Sequence, residues 1–296
     1  MLKRVTVALV IASIVLFLPQ GTQAFTLSIG SWQASGSQMW RIAFPGSGAS
    51  DMSNDDAGVS ELYYPQSGNY VTANYEQPLS AKRKLSIEAG ILGALTPATG
   101  TDSDWDYSRK PDLWYYGTFI TSGSSTFFNI DLKQAVGPGT EFFYGYGYSH
   151  SKYIMTDGYY SIMDYSQTAS SLPDLNSTYS LTYQGPHAGF AATKQLTSKL
   201  AMVGSIAYAP LTLVQGRGWW NLRELDFEHT GSGQMLDGKI GLRYNVAERR
   251  DNSLTLGYRY QQYSLFTGSE NTSPDITWSK AVKTQEGWFL DGNFKF

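Results

Sequence analysis

Along Gly287 to Phe296, Trp288, Leu290, Phe294 and Phe296 fall on one side of an extended chain, and Asp291, Asn293 and Lys295 on the other. The same period of two recurs upstream. Leu236, Ile240, Leu242 and Tyr244 alternate with Asp237, Lys239, Arg243 and Asn245, and Leu254, Leu256, Tyr258 and Tyr260 alternate with Arg259 and Gln261. Apolar residues on one face and polar or charged ones on the other suit a wall between lipid and a polar lumen. Because no backbone group can stay unpaired in hydrocarbon, such strands must close into a barrel.

Read in order, the pattern predicts about ten antiparallel strands, the even number of a single-chain barrel. The first opens at Phe25-Leu27-Ile29 and resumes at Met39 to Phe44, followed by a Gly/Ser/Asp-rich loop from Pro45 to Gly58. Further strands are expected over Val59–Gln77, Leu85–Pro97, Leu113–Leu132, from Phe142 through Tyr148, and over Tyr179–Thr193. The remainder are Lys199–Leu213, Leu236–Val246, one through Leu254–Gln261, and a last strand after a loop over Gly268–Asp275. Long polar loops at Ala98–Pro111, Ser161–Thr178 and Val214–Gly233 alternate with short turns, as when one barrel end faces the periplasm and the other the outside. Phe142, Tyr144, Tyr146 and Tyr148 share a face and suit an interfacial girdle.

Composition sharpens this picture. Aromatics reach 15%, with 30 glycines and no run after Ala24 long enough for a membrane helix, which favours thinly spread barrel hydrophobicity over a soluble enzyme. Zero cysteines exclude disulfides, thiol nucleophiles and Cys-bound zinc, and a net charge of −3 gives no drive toward nucleic acid. Met1-Leu2-Lys3-Arg4, the apolar stretch Val5 to Pro19 and the small residues Thr22-Gln23-Ala24 read as a secretory signal peptide over residues 1–24. A single outer-membrane barrel over residues 25–296 is then expected in a Gram-negative bacterium, as a monomer in contact with membrane lipid. Charged and tyrosyl lumen positions imply an interior cross-linked by side chains, not an open pore. His150, His187 and His229 lie on separate segments without metal-ligand spacing, so no metal is expected.

Thr101-Asp102-Ser103-Asp104-Trp105 carries the candidate chemistry. Two carboxylates two residues apart point the same way on an extended chain, which raises the pKa of one and favours a shared proton or a bound water. With Val59-Ser60-Glu61-Leu62-Tyr63-Tyr64 before it and Gly147-Tyr148-Ser149-His150-Ser151-Lys152-Tyr153 after it, this Asp-x-Asp-Trp resembles the omptins, ten-stranded outer-membrane proteases of Gram-negative bacteria. The resemblance implies an endopeptidase in which a histidine, oriented by an acid, deprotonates a water, while the acid pair across the mouth positions that water and stabilises the tetrahedral intermediate. Asp102 and Asp104 match the paired acids, and His229 matches the base. Where the family has its orienting acid, two residues before the histidine, this chain has Phe227; Asp226 and Glu228 flank it as candidate acids that need a bulge to reach the imidazole.

The resemblance also implies acids that bind basic peptide side chains. Ser37-Gln38-Met39 offers none on the first strand, whereas Glu224 and Asp106 remain as candidate substrate contacts at the mouth. It implies a lipopolysaccharide clamp on the outer wall as well. Tyr148 and Lys152 match two of its positions, and Thr182 stands where a second base is expected. The expected partners are therefore a peptide or protein outside the cell and lipopolysaccharide, with no further cofactor. A non-catalytic surface barrel is the rival reading, and a lipid A hydrolase a third that lacks a polar set on the lipid-facing side.

Overall fold

The computed structural model describes residues 24–44, 58–106, 112–246, 252–272 and 275–296. The signal-peptide segment, apart from its last residue, lies outside them, as does most of the predicted Pro45–Gly58 loop. Among the described residues twelve antiparallel strands are formed: β1 (Thr26–Phe44), β2 (Gly58–Pro65), β3 (Gly68–Pro78), β4 (Arg83–Leu92), β5 (Ala98–Asp106), β6 (Asp112–Gly137), β7 (Thr140–Met163), β8 (Ser170–Gln195), β9 (Leu200–Trp220), β10 (Leu225–Asn245), β11 (Asn252–Glu270) and β12 (Thr277–Lys295). β12 pairs with β1 from Thr26↔Lys295 to Ala43↔Thr277, which closes the sheet into a barrel.

Twelve segments occupy ten positions around the ring. β3 pairs with the first half of β1 and β2 with its second half, so the two share one stave. β4 and β5 share the next, both pairing with β6. The predicted single strand Val59–Gln77 is thus broken at Gln66 and Ser67. Gly68 there has φ +156°, and a Cβ on it would lie 2.6 Å from Leu92 Cδ1, so the break needs glycine.

Outward positions from Ile29 on β1 round to Leu290 on β12 form an apolar belt that includes Phe128, Ile130, Tyr144, Tyr146, Phe190, Ile206, Ile240, Leu242, Leu254 and Leu256. A closed ladder with this belt is an outer-membrane β-barrel. Above the belt the outward face turns polar, with Glu228, Thr230 and Glu286 exposed. There the pattern inverts. Trp40, Tyr64, Tyr179, Phe227 and Trp278 point inward and are buried, while their neighbours in sequence face water.

That inversion explains three differences from the expected loops. Ala98–Asp106 is strand β5, paired with β2 on one side and β6 on the other; residues 107–111 lie outside the described set. Val214–Gly233 is not a loop. β9 continues to Trp220, a single 3-10 turn spans Asn221–Arg223, and β10 begins at Leu225. β8 likewise starts at Ser170, within the expected Ser161–Thr178 loop.

The lumen is filled. At its lower end a cavity of about 370 Å³ is lined by ion-paired side chains such as Glu76 with Lys84 and Lys133. Arg259 bonds Asp237 at 2.6 Å and Glu88 at 3.0 Å and lies 4.3 Å over the Phe127 ring. At the waist Tyr153 donates to Gln66, and Lys283 to Ser149 and Ser151 at 2.9 and 3.0 Å. Above that layer lies the aromatic mouth. His187, on β8 beside a register shift whose extra residue lies on β9 near Pro210, bonds Asp131 in the lower lumen.

Candidate functional site

His229 is held on β10 with its side chain inside the mouth, opposite Glu270 of β11 and Gly216 of β9. Its Nε2 lies 3.0 Å from Glu270 Oε2, and its Nδ1 lies 2.9 Å from the Tyr179 hydroxyl. A carboxylate only accepts, so Nε2 carries the hydrogen and Nδ1 accepts from the Tyr179 O–H. Trp278 stacks on the imidazole at 4.8 Å, and Trp40 and Phe227 each approach its centroid to 5.2 Å. Only 1% of His229 is exposed. Burial lowers its pKa below the ordinary histidine value, and the Glu270 hydrogen bond partly opposes this.

Glu270 is itself 8% exposed and accepts from the Thr272 hydroxyl. Burial pushes its pKa up, but the bonds from His229 and Thr272 win and hold it below the usual carboxylate value. The strand end that carries it is fixed by its neighbours: Asn271 N–H donates to the Glu228 carbonyl at 3.0 Å, and Glu228 N–H to Asn271 Oδ1 at 2.8 Å.

Asp102 and Asp104 enter the mouth from β5, which lies next to β2. Asp102 sits level with Leu62, and Leu62 level with Trp40 on β1, whose ring touches His229. Asp104 is 7% exposed, and the Oδ1 atoms of both acids are buried without a protein partner among the described residues. Both carboxyls titrate above the usual range. Burial is the main cause, reinforced at Asp102 by the Asp104 charge and opposed at both by Arg223. Arg223 comes from the 3-10 turn between β9 and β10, so the hairpin bearing His229 also carries a positive charge toward the acid pair. Between the two halves stand Trp40 and Tyr64, each stacked on Tyr179, at 5.0 and 6.1 Å. The indole Nε1 atoms of Trp40 and Trp278 are buried without a partner among the described residues as well.

The structure does not bring the flanking acids to the imidazole. β10 is regular at this point, so Asp226 and Glu228 emerge on its outer face, where Asp226 clasps Arg217 at 2.7 and 3.2 Å and Glu228 approaches it to 3.8 Å. Glu224 is an exposed turn residue at φ +50°, and Asp106 accepts a hydrogen bond from Tyr165. Trp220 packs into the mouth against Phe227 at 5.0 Å, whereas Trp219 faces outward.

Tyr148 and Lys152 face outward on β7, as does His150, whose Nδ1 lies 2.9 Å from Thr182 Oγ1. A recess of about 230 Å³ on this wall is lined by His150, Lys152, Ser180, Arg217 and Trp219. His150 therefore belongs to the outer wall. Glu270 and Tyr179 are the site residues that sequence reasoning missed. Register alone points to Glu270: a hairpin drawn between β10 and β11 sets it opposite His229 once the one-residue shift between Ser232 and Gly233 is allowed.

No protein-family model and no curated protein sequence matches the chain. Among solved structures, the outer membrane protease OmpT from Escherichia coli aligns over 95% of this chain and 99% of its own, with a TM-score of 0.73 and 10% identity. At that identity the likeness is one of fold. The translocator domain of the autotransporter NalP from Neisseria meningitidis (TM-score 0.40, 9% identity, 99% and 96% coverage) and the Pseudomonas putida toluene transporter TodX (0.33, 8%, 94% and 90%) are more distant barrels.

Proposed function

We propose that this barrel is an omptin-like outer-membrane endopeptidase in which His229, oriented by Glu270, supplies the base and Asp102 with Asp104 face it across the mouth. One observation carries the reading: the acid absent at Phe227 is supplied from the neighbouring strand, 3.0 Å from the imidazole. An acid–imidazole pair opposite two acids of raised pKa can activate water at a peptide carbonyl without a covalent intermediate. The unpartnered Oδ1 atoms and indole N–H groups add acceptors and donors to the same space, each costing about 1–3 kcal/mol while unpaired. The fold shared with a solved outer membrane protease agrees with this reading.

The test is cleavage of a quenched fluorescent peptide library by the refolded barrel in micelles containing lipopolysaccharide. His229→Ala and Asp104→Ala each lower cleavage by about 10³-fold or more while the barrel keeps its heat-dependent gel mobility. Unchanged cleavage in either variant sinks the mechanism. A specific observation favours the rival, a non-catalytic surface barrel: both ring nitrogens of His229 are already bonded inside an aromatic cage. Under that reading the wild-type barrel cleaves no peptide in the library.

The outer-wall recess supports lipopolysaccharide binding. Lys152 supplies one cation for phosphate groups and Arg217, on leaving Asp226, a second that takes the part of the base missing at Thr182, and Tyr148 lies at the edge of the belt.

A further inference from the structure

Glu270 occupies Nε2 of His229 and the Tyr179 hydroxyl occupies Nδ1, so neither imidazole nitrogen can meet a reacting water directly. The lone pair that makes His229 a base is delivered at the phenol oxygen. Tyr179 is fixed there. It is fully buried and stacked on Trp40, and its hydroxyl lies over Gly216, where a Cβ would come within 2.3 Å of it and 3.2 Å of His229 Cβ. Tyr64, which feels the Asp102 charge, also stacks parallel to Tyr179 at 6.1 Å. The ring cannot swing clear without dismantling this stack; its oxygen, fully buried here, has a second lone pair with which it can accept from a water that enters the mouth.

We propose that Tyr179 is the proton relay between the attacking water and His229, forming a Tyr179–His229–Glu270 chain across β8, β10 and β11. The assignment rests on the peptidase reading above. In the forward step the water oxygen bonds to the peptide carbonyl carbon while one of its protons passes to Tyr179 Oη. The proton already on Oη moves to His229 Nδ1, and Glu270 holds the resulting imidazolium at Nε2. As the C–N bond breaks, the amine nitrogen takes a proton back along the same path. Water is consumed, no group changes oxidation state, and the chain returns to its starting tautomer. The charged and titratable groups around the relay are Glu270 on β11, Tyr64 on β2, Tyr153 on β7, Tyr183 on β8, Asp102 and Asp104 on β5, and Arg223 on the β9–β10 turn.

The experiment compares Tyr179→Phe, His229→Ala and their double variant with wild type on one cleaved library peptide, with gel mobility reporting the fold. The relay predicts that Tyr179→Phe lowers kcat by about 100-fold or more, with KM within about three-fold. The double variant is then no slower than His229→Ala alone, because both residues serve one proton path. If Tyr179 only caps the imidazole, the phenylalanine frees Nδ1 and kcat holds or rises, and that result overturns the relay. Multiplying effects in the double variant overturn it too. Should Tyr179→Phe fail to fold, 3,5-difluorotyrosine at position 179 keeps the ring and lowers the phenol pKa. The relay then predicts that kcat changes by about three-fold or more with KM unchanged, since proton transfer through the phenol follows its acidity, and an unchanged kcat overturns it. Loss of activity in His229→Ala with full activity in Tyr179→Phe defeats the relay alone, whereas a wild type that cleaves nothing defeats the peptidase reading itself.

Discussion

His229 and Glu270 are register partners across β10 and β11, and their side chains meet at 3.0 Å on the inner face of the barrel mouth. A cross-strand partner can replace an acid two residues away on the same strand, because directly opposed residues share a face. Asp226 and Glu228, three residues and one residue before the histidine, are by the same pleat on the wrong side of the wall. Glu270→Gln, which keeps the shape but removes the charge that favours the Nε2–H tautomer, is expected to lower kcat by about 10²–10⁴-fold. The check is steady-state cleavage of a library peptide. A loss smaller than about three-fold removes Glu270 from the mechanism.

Asp226→Asn and Glu228→Gln are expected to leave the chemical step within about two-fold of wild type, since surface substitutions away from the chemistry change little. Both acids are outside, on Arg217. The same assay checks this, and a large loss of kcat in either variant returns that acid to the catalytic set.

The contrast between Glu270 and Asp226 shows what the amino-acid order conveys. The barrel was legible because lipid imposes a strict alternation within the belt, as at Leu236 to Asn245. Above it the constraint disappears. Asp102-Ser103-Asp104 and Leu225 to His229 then read as polar loops, although backbone pairing on both sides makes them strands. Asp102, Asp104 and His229 were recognisable as a set through a local motif and a position. Glu270 and Tyr179 were not, because their relation to His229 exists only through strand register 41 and 50 residues away.

Lys152→Ala together with Arg217→Ala is expected to weaken lipopolysaccharide binding by an order of magnitude or more, as two charge-assisted contacts are lost. Binding of lipid A to the refolded barrel, followed at two salt concentrations, reads this out. The double variant should also lose most of the salt dependence. Unchanged affinity assigns the recess no part in holding the lipid.

The pH dependence of stability separates the two halves of the mouth. Asp102 and Asp104 titrate above the usual range in the folded barrel, burial being the first cause and the Asp104 charge the second at Asp102. A raised folded pKa means that the fold favours the protonated carboxyl. The contribution is therefore fully present below the unfolded value, near pH 4, and is lost as pH rises through the folded titration. His229 has the opposite shift: burial disfavours its charged form, so stability falls as pH drops below about 6.5, where the unfolded histidine begins to take up a proton that the folded one resists. Unfolding of the barrel in detergent between about pH 4 and 9 should thus show two flanks. Asp102→Asn with Asp104→Asn should remove the loss of stability on the alkaline side, and His229→Gln should flatten the acid side. If the alkaline flank persists in the double asparagine variant, the acid pair is not the source of the alkaline loss and its burial does not favour the protonated carboxyls.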